Sequence, residues 1–83
     1  MKIKYIGHEK HYQSEVFKWK VNDKIYELWF GYDEENGEWY VSMIINGALD
    51  YDAYYTTPEG YKEIIEELKS AYPFLAEEIS SIE

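Results

Sequence analysis

The chain reads as an α+β domain: an antiparallel meander of four to five strands, packed on one face by a C-terminal amphipathic helix. Three observations predict it. Apolar and polar residues alternate through most of residues 15–55, the period of a half-buried strand. Turn-forming residues break that alternation at Asn22-Asp23, Asn36-Gly37 and Asn46-Gly47, the spacing of a hairpin series. After Thr57-Pro58 the apolar residues recur every three or four positions, which is helical spacing. At 83 residues the chain is a single domain with a thin stability margin.

Residues 2–6 form a short first strand, and the polar stretch 7–13 is a loop or an edge. Strands follow at 15–21, 24–32 and 38–45, with a weaker, tyrosine-rich one at 49–55. Turn length then decides which residues share a face, because strand side chains alternate with period 2. A two-residue turn at Asn22-Asp23 pairs Val21 with Lys24 and sets Lys18 opposite Glu27, a favourable cross-strand charge pair. The next loop must be even to keep Trp39, Val41 and Met43 with the apolar set. A two-residue Asn36-Gly37 turn would oppose Glu35 and Glu38, so a four-residue loop, 34–37, is expected, pairing Tyr32 with Trp39, Phe30 with Val41 and Leu28 with Met43. For the last hairpin the same test favours a three-residue loop, 45–47, with Gly47 left-handed.

This register gives one apolar face of Phe17, Trp19, Val21, Tyr26, Leu28, Phe30, Trp39, Val41, Met43, Leu49 and Tyr51. The opposite face is mixed: Lys18, Lys20, Glu27, Trp29, Tyr40, Ser42, Ile44, Asp50, Asp52 and Tyr54. Thr57 as N-cap and Pro58 at the first helical position open the helix. Tyr61, Ile64, Ile65, Leu68 and Tyr72 form its apolar stripe, and Glu63, Glu66, Glu67 and Lys69 face away. Pro73 ends the helix at Tyr72, and residues 74–82 form a second short one with Leu75, Ile79 and Ile82 on one side.

Composition excludes several functions. There is no cysteine, hence no disulfide, thiolate metal site or cysteine nucleophile. No apolar run approaches the roughly 20 residues of a membrane span. The N-terminus shows no signal peptide, so a cytoplasmic location is expected. A net charge of −9 opposes direct binding to nucleic acid or anionic membrane. The charge is uneven: residues 1–30 hold six lysines and four acids, whereas 31–83 hold two lysines and thirteen acids.

No constellation for catalysis is legible. His8 and His11 are three apart with no third ligand nearby. The acidic run from Asp33 to Glu38 lacks the alternating ligands of a calcium loop. Asp50 and Asp52 sit on an open sheet face, without the burial that separates the pKa values of a catalytic pair. No phosphate-cradling glycine loop or Ser/His/Asp arrangement is present. The expectation is a non-enzyme with no cofactor and no metal.

Aromatic residues make up 19% of the chain, ten of them tyrosine. Those on the mixed face are suited to anchor an interface. The expected binding surface is therefore Trp29, Asp33, Glu34, Glu35, Glu38, Tyr40, Asp50, Asp52, Tyr54, Glu63, Glu66 and Glu67. In size, acidity and lack of catalytic groups the chain is similar to phage-encoded DNA-mimic proteins, which block CRISPR nucleases, restriction enzymes and uracil-DNA glycosylase. That likeness is one of composition. It implies an inhibitor that occludes a basic nucleic-acid-binding site on a partner protein. Two other readings are a self-associating scaffold that dimerises through the aromatic face, and a small-ligand sponge with a pocket lined by tyrosine and tryptophan, whose occupancy Trp29 and Trp39 fluorescence would report, with Lys18 and Lys20 lining the site for an anionic ligand.

Overall fold

A computed structural model of the chain describes residues 2–57 and 59–81, without side-chain detail at 60 and 61. Five strands, β1 (Ile3–His11), β2 (Ser14–Val21), β3 (Lys24–Asp33), β4 (Glu38–Ile45) and β5 (Ala48–Tyr55), form one antiparallel sheet in chain order. Helix α1 (Gly60–Ala71), a 3-10 turn (Pro73–Leu75) and helix α2 (Ala76–Ser80) follow. The expected meander with a C-terminal helix and a short second helix is the observed fold.

The two central hairpins have the expected register. Val21 pairs with Lys24 and Lys18 with Glu27 across β2–β3. Leu28 pairs with Met43, Phe30 with Val41 and Tyr32 with Trp39 across β3–β4. The four-residue loop closes with the Gly37 N–H donating to the Asp33 carbonyl at 2.8 Å, and Gly37 takes φ +66°. The charge pairing differs from expectation. Lys18 Nζ reaches Glu9 on β1 at 3.1 Å, and Glu27 accepts instead from the Trp29 indole at 3.2 Å.

Both outer hairpins depart from the sequence reading. The first strand does not stop near Ile6. It continues to His11 as an edge strand, with a bulge between Tyr5 and Gly7. At the other edge the turn is the two-residue Asn46-Gly47, with φ +50° and +81°. Positive φ at both positions is the type I′ geometry, which matches the twist of the flanking strands. Asn46 is tied to β3 as well: its Oδ1 accepts from the Ile25 N–H, and its own N–H donates to the Ile25 carbonyl, both at 2.8 Å. The extra residue therefore moves downstream. Met43 pairs with Tyr51 but Ile44 with Leu49, leaving Asp50 in a bulge. A bulge absorbs one residue and restores the frame. Tyr51 and Ala53 stay on the helix side, whereas Leu49 falls on the opposite face and is 61% exposed.

The helix also starts later than Thr57 suggests. It begins at Gly60 with Glu59 in the N-cap position and no side-chain cap, so Thr57 lies before the helix and does not cap it. The expectations for Pro58, the Tyr61 side chain and Ile82 lie outside the described residues. Helix α1 buries Ile64, Ile65 and Leu68 on the sheet, and full burial of such side chains contributes about 1.5–3 kcal/mol each. Pro73 stops it, and the chain folds back so that Leu75 and Ile79 enter the same core as Trp19, Leu28, Val41 and Met43. Both helices thus cover one face.

The other face is closed over β2 by side chains alone. The His11 and Trp29 rings approach to 5.2 Å, and Glu9 bridges to Lys18. Beneath them Val16 is fully buried. Next to it, the β1–β2 turn presses close to β3. A Cβ on Gly31 would lie 2.3 Å from the Gln13 carbonyl oxygen.

Candidate protein-binding surface

The expected binding residues fall into three groups. The first is the β3–β4 tip. Asp33 ends β3, and its carboxylate accepts from the Asn36 side chain at 2.7 Å and from the N–H groups of Glu35 and Asn36 at 3.0 and 3.3 Å. These bonds, the Asn36 side chain first among them, hold the Asp33 carboxyl below its ordinary pKa. Glu34 and Glu35 are exposed beside it, and Glu38 pairs with Asp33 across the ladder. The Glu34 N–H is fixed in turn by Gln13 Oε1 at 3.0 Å.

The second group lies on α1, where it meets β5. Glu67 accepts from the hydroxyls of Tyr51 and Tyr55, the latter at 2.6 Å. The two phenols lower the Glu67 pKa, Tyr51 more than Tyr55. Reciprocally, burial and then the Glu67 carboxylate push Tyr55 up to about 12 and raise Tyr51 as well. Glu63, Glu66 and Glu67 with Lys62 line a shallow groove of about 360 Å³. Glu66 reaches Lys69 at 3.6 Å.

The third group is the far sheet face, and here the expected cluster splits. Asp52 pairs with Ser42, and Tyr54 with Tyr40, on the face of Trp29. Asp50 does not join them. Its place in the bulge turns it to the helix side, where it accepts from the buried Tyr72 hydroxyl. Asp50 and Asp52 are therefore on opposite sides of β5. Burial and then Asp50 raise the Tyr72 pKa. Trp29 is half-buried under His11 and Glu27, and the Tyr40 hydroxyl is bonded to Ser14. The exposed apolar groups on this face are Tyr54, at 60%, and Leu49.

Hydrophobicity alone places Leu49 in the core, and the structure puts it outside. The signal that places it outside was present: Asn-Gly is the strongest type I′ pair, and a two-residue turn puts Leu49 opposite Ile44. Trp29 and Trp39 lie on opposite faces of the sheet, as the register requires. His8 and His11 are also separated: His8 stacks on Phe17 and pairs with Glu15, whereas His11 pairs with Glu9 at 2.7 Å.

Charge is arranged across the sheet. On β1 and β2 the carboxylates meet cationic or basic partners: Glu9 with His11 and Lys18, Glu15 with His8. At the tip, on β5 and on α1, Asp33, Asp50 and Glu67 are held by amides and hydroxyls, which carry no charge. Lysines gather at the other end of the sheet, where Lys2, Lys4 and Lys20 line a recess with Asn22. Among the described residues no helix is long and apolar enough to cross a membrane. Compared with protein-family models, curated proteins and solved structures, the chain shows no match.

Proposed function

We propose that this protein binds a partner protein through its acidic side, formed by the β3–β4 tip, β5 and the outer face of α1, and that it occludes a basic, nucleic-acid-binding surface there. One observation carries the reading: Asp33, Glu67 and Asp50 are positioned by neutral donors. A carboxylate fixed by a cation is neutralised. One fixed by a hydroxyl or amide is immobilised with its charge intact. Such a surface loses little side-chain entropy on binding, and its uncompensated field steers a basic partner towards it. The negative net charge keeps nucleic acid itself away.

The test is affinity purification with the full chain at low salt, followed by competition. The reading expects the recovered partner to be a nucleic-acid-binding protein released by heparin or duplex DNA. Charge reversal of Glu34, Glu35 and Glu38 to lysine weakens a complex made through the tip. Recovery only of partners indifferent to salt and polyanion contradicts the proposal.

A second reading, self-association, is favoured by the exposed Leu49 and Tyr54 beside Ile44 on the uncovered face. Light scattering decides it: a monomer at millimolar concentration excludes it.

A further inference from the structure

Three hairpin turns of the sheet have two residues each, between the pairs His11 and Ser14, Val21 and Lys24, and Ile45 and Ala48. Their first positions are Tyr12, Asn22 and Asn46, all left-handed, at φ +57°, +56° and +50°. Asparagine suits that conformation, because its short polar side chain bonds to nearby backbone. Asn22 Oδ1 accepts from the Lys2 N–H at 3.3 Å, and Asn46 Oδ1 from the Ile25 N–H at 2.8 Å. Tyr12 has no equivalent bond. Its side chain makes no hydrogen bond or ring contact among the described residues, and the residue is 88% exposed. A tyrosine at this position therefore strains the turn and stabilises nothing in the fold. Backbone strain that the fold does not need gathers at functional sites.

The turn is fastened to the acidic tip. Gln13 Oε1 accepts from the Glu34 N–H at 3.0 Å, and Ser14 is bonded to the Tyr40 hydroxyl. The Gln13 carbonyl oxygen lies so close to β3 that a Cβ on Gly31 would stand 2.3 Å from it. Tyr12 is thus presented from a fixed backbone, at the same end of the sheet as Glu34 and Glu35. An exposed tyrosine on a fixed backbone is suited to be an interface hot spot, since it buries a large area with little loss of rotamer freedom. We propose that Tyr12 is the aromatic anchor of the acidic surface. It enters a base-stacking slot of the partner while the tip carboxylates meet the phosphate-binding groups around that slot. Single-strand-binding sites offer the two together: aromatic platforms that stack bases, set in a basic groove. The inference rests on the function proposed above and narrows its partner to a protein that binds single-stranded or unstacked nucleic acid.

The salt-sensitive partner recovered by the full chain is titrated with the parent, with Tyr12→Asn, with Tyr12→Phe, and with a variant carrying Glu34→Lys, Glu35→Lys and Glu38→Lys. Tyr12→Asn melts no lower than the parent, yet binds roughly thirtyfold more weakly, the loss of a hot-spot aromatic. Its salt dependence matches the parent's, because no charge is removed. Tyr12→Phe keeps the ring and binds within about threefold of the parent. A single-stranded oligodeoxyadenylate displaces the chain on the order of tenfold better than an abasic strand of equal length, because stacked bases add affinity. Equal affinity of Tyr12→Asn and the parent, where charge reversal at the tip does weaken the complex, overturns the anchor and leaves the acidic surface standing. Equal displacement by the two strands overturns the stacking slot. A parent chain that recovers no salt-sensitive partner overturns both the anchor and the function on which it rests.

Discussion

Gly31→Ala is the most informative single change. Gly31 faces Ser14 across the β2–β3 ladder, and an added Cβ would meet the Gln13 carbonyl oxygen at 2.3 Å, the Gln13 carbonyl carbon at 3.1 Å and the Tyr40 hydroxyl at 3.0 Å. The first two are backbone atoms of a tight turn and cannot swing aside. Overpacking of this kind costs about 1–3 kcal/mol. Displacing Tyr40 also strains its bond to Ser14, a buried group, adding roughly 1 kcal/mol. The sum, about 2–4 kcal/mol, compares with a total stability of roughly 4–12 kcal/mol for a domain of this length. At about 4–8 °C per kcal/mol, the melting temperature falls by roughly 10–25 °C. Thermal unfolding followed by circular dichroism measures this. Gly7→Ala is the control, because no atom lies within 4 Å of its added Cβ, and it shifts stability by less than about 0.5 kcal/mol. A folded Gly31→Ala variant melting within about 3 °C of the parent refutes the close approach. The effect has a functional reach: Gln13 holds the Glu34 N–H, so amide exchange at Glu34 accelerates in the variant.

Three further outcomes follow from other contacts. Leu68→Ala, in the core, costs about 2–5 kcal/mol, whereas Leu49→Ala costs less than about 0.5 kcal/mol; comparable losses in denaturant melts would place Leu49 back in the core and remove the Asp50 bulge. Tyr12 adopts φ +57° while 88% exposed, so Tyr12→Gly relieves left-handed strain at the expense of chain entropy and stabilises by about 0.5 kcal/mol, read as a rise in urea midpoint. The Tyr55 hydroxyl, raised to about 12 by burial and Glu67, favours the protonated phenol in the fold. Its contribution to stability is complete below the unfolded value near 10 and is lost as pH rises through 12. The parent-minus-Tyr55→Phe absorbance difference at 295 nm then has its midpoint near pH 12, and a midpoint near 10 contradicts the Glu67 contact.

The sheet was legible because its two central hairpins are over-determined. Phe17, Trp19 and Val21 must share a face with Leu28 and Met43, and only even loops allow it. The edges were less so. Residues 7–11 are polar because an edge strand with few buried positions needs no apolar alternation, so its periodicity is silent. Leu49 and Asp50 misled because hydrophobicity favoured burying Leu49, while the turn energetics of Asn46-Gly47 favoured exposing it. The turn prevailed, and a bulge reconciled it with Tyr51. Thr57 has the chemistry of an N-cap, yet the helix begins at Gly60. The acidic tip and α1 face were evident from residue type alone. Their fixation by Tyr51, Tyr55 and Asn36 was not, since those bonds depend on where α1 crosses β5 and how the loop closes.

The binding reading stands on charge that is immobilised but not neutralised, and one measurement addresses that directly. The dissociation constant of the recovered complex is followed against salt for the parent and for a Glu63→Lys, Glu67→Lys variant, whose folding is verified by its melting curve. Steep weakening with salt in the parent, and a shallower slope with lower affinity in the variant, is the expected result. Equal affinity and equal slope in the two proteins would contradict a role for the α1 side of the acidic surface.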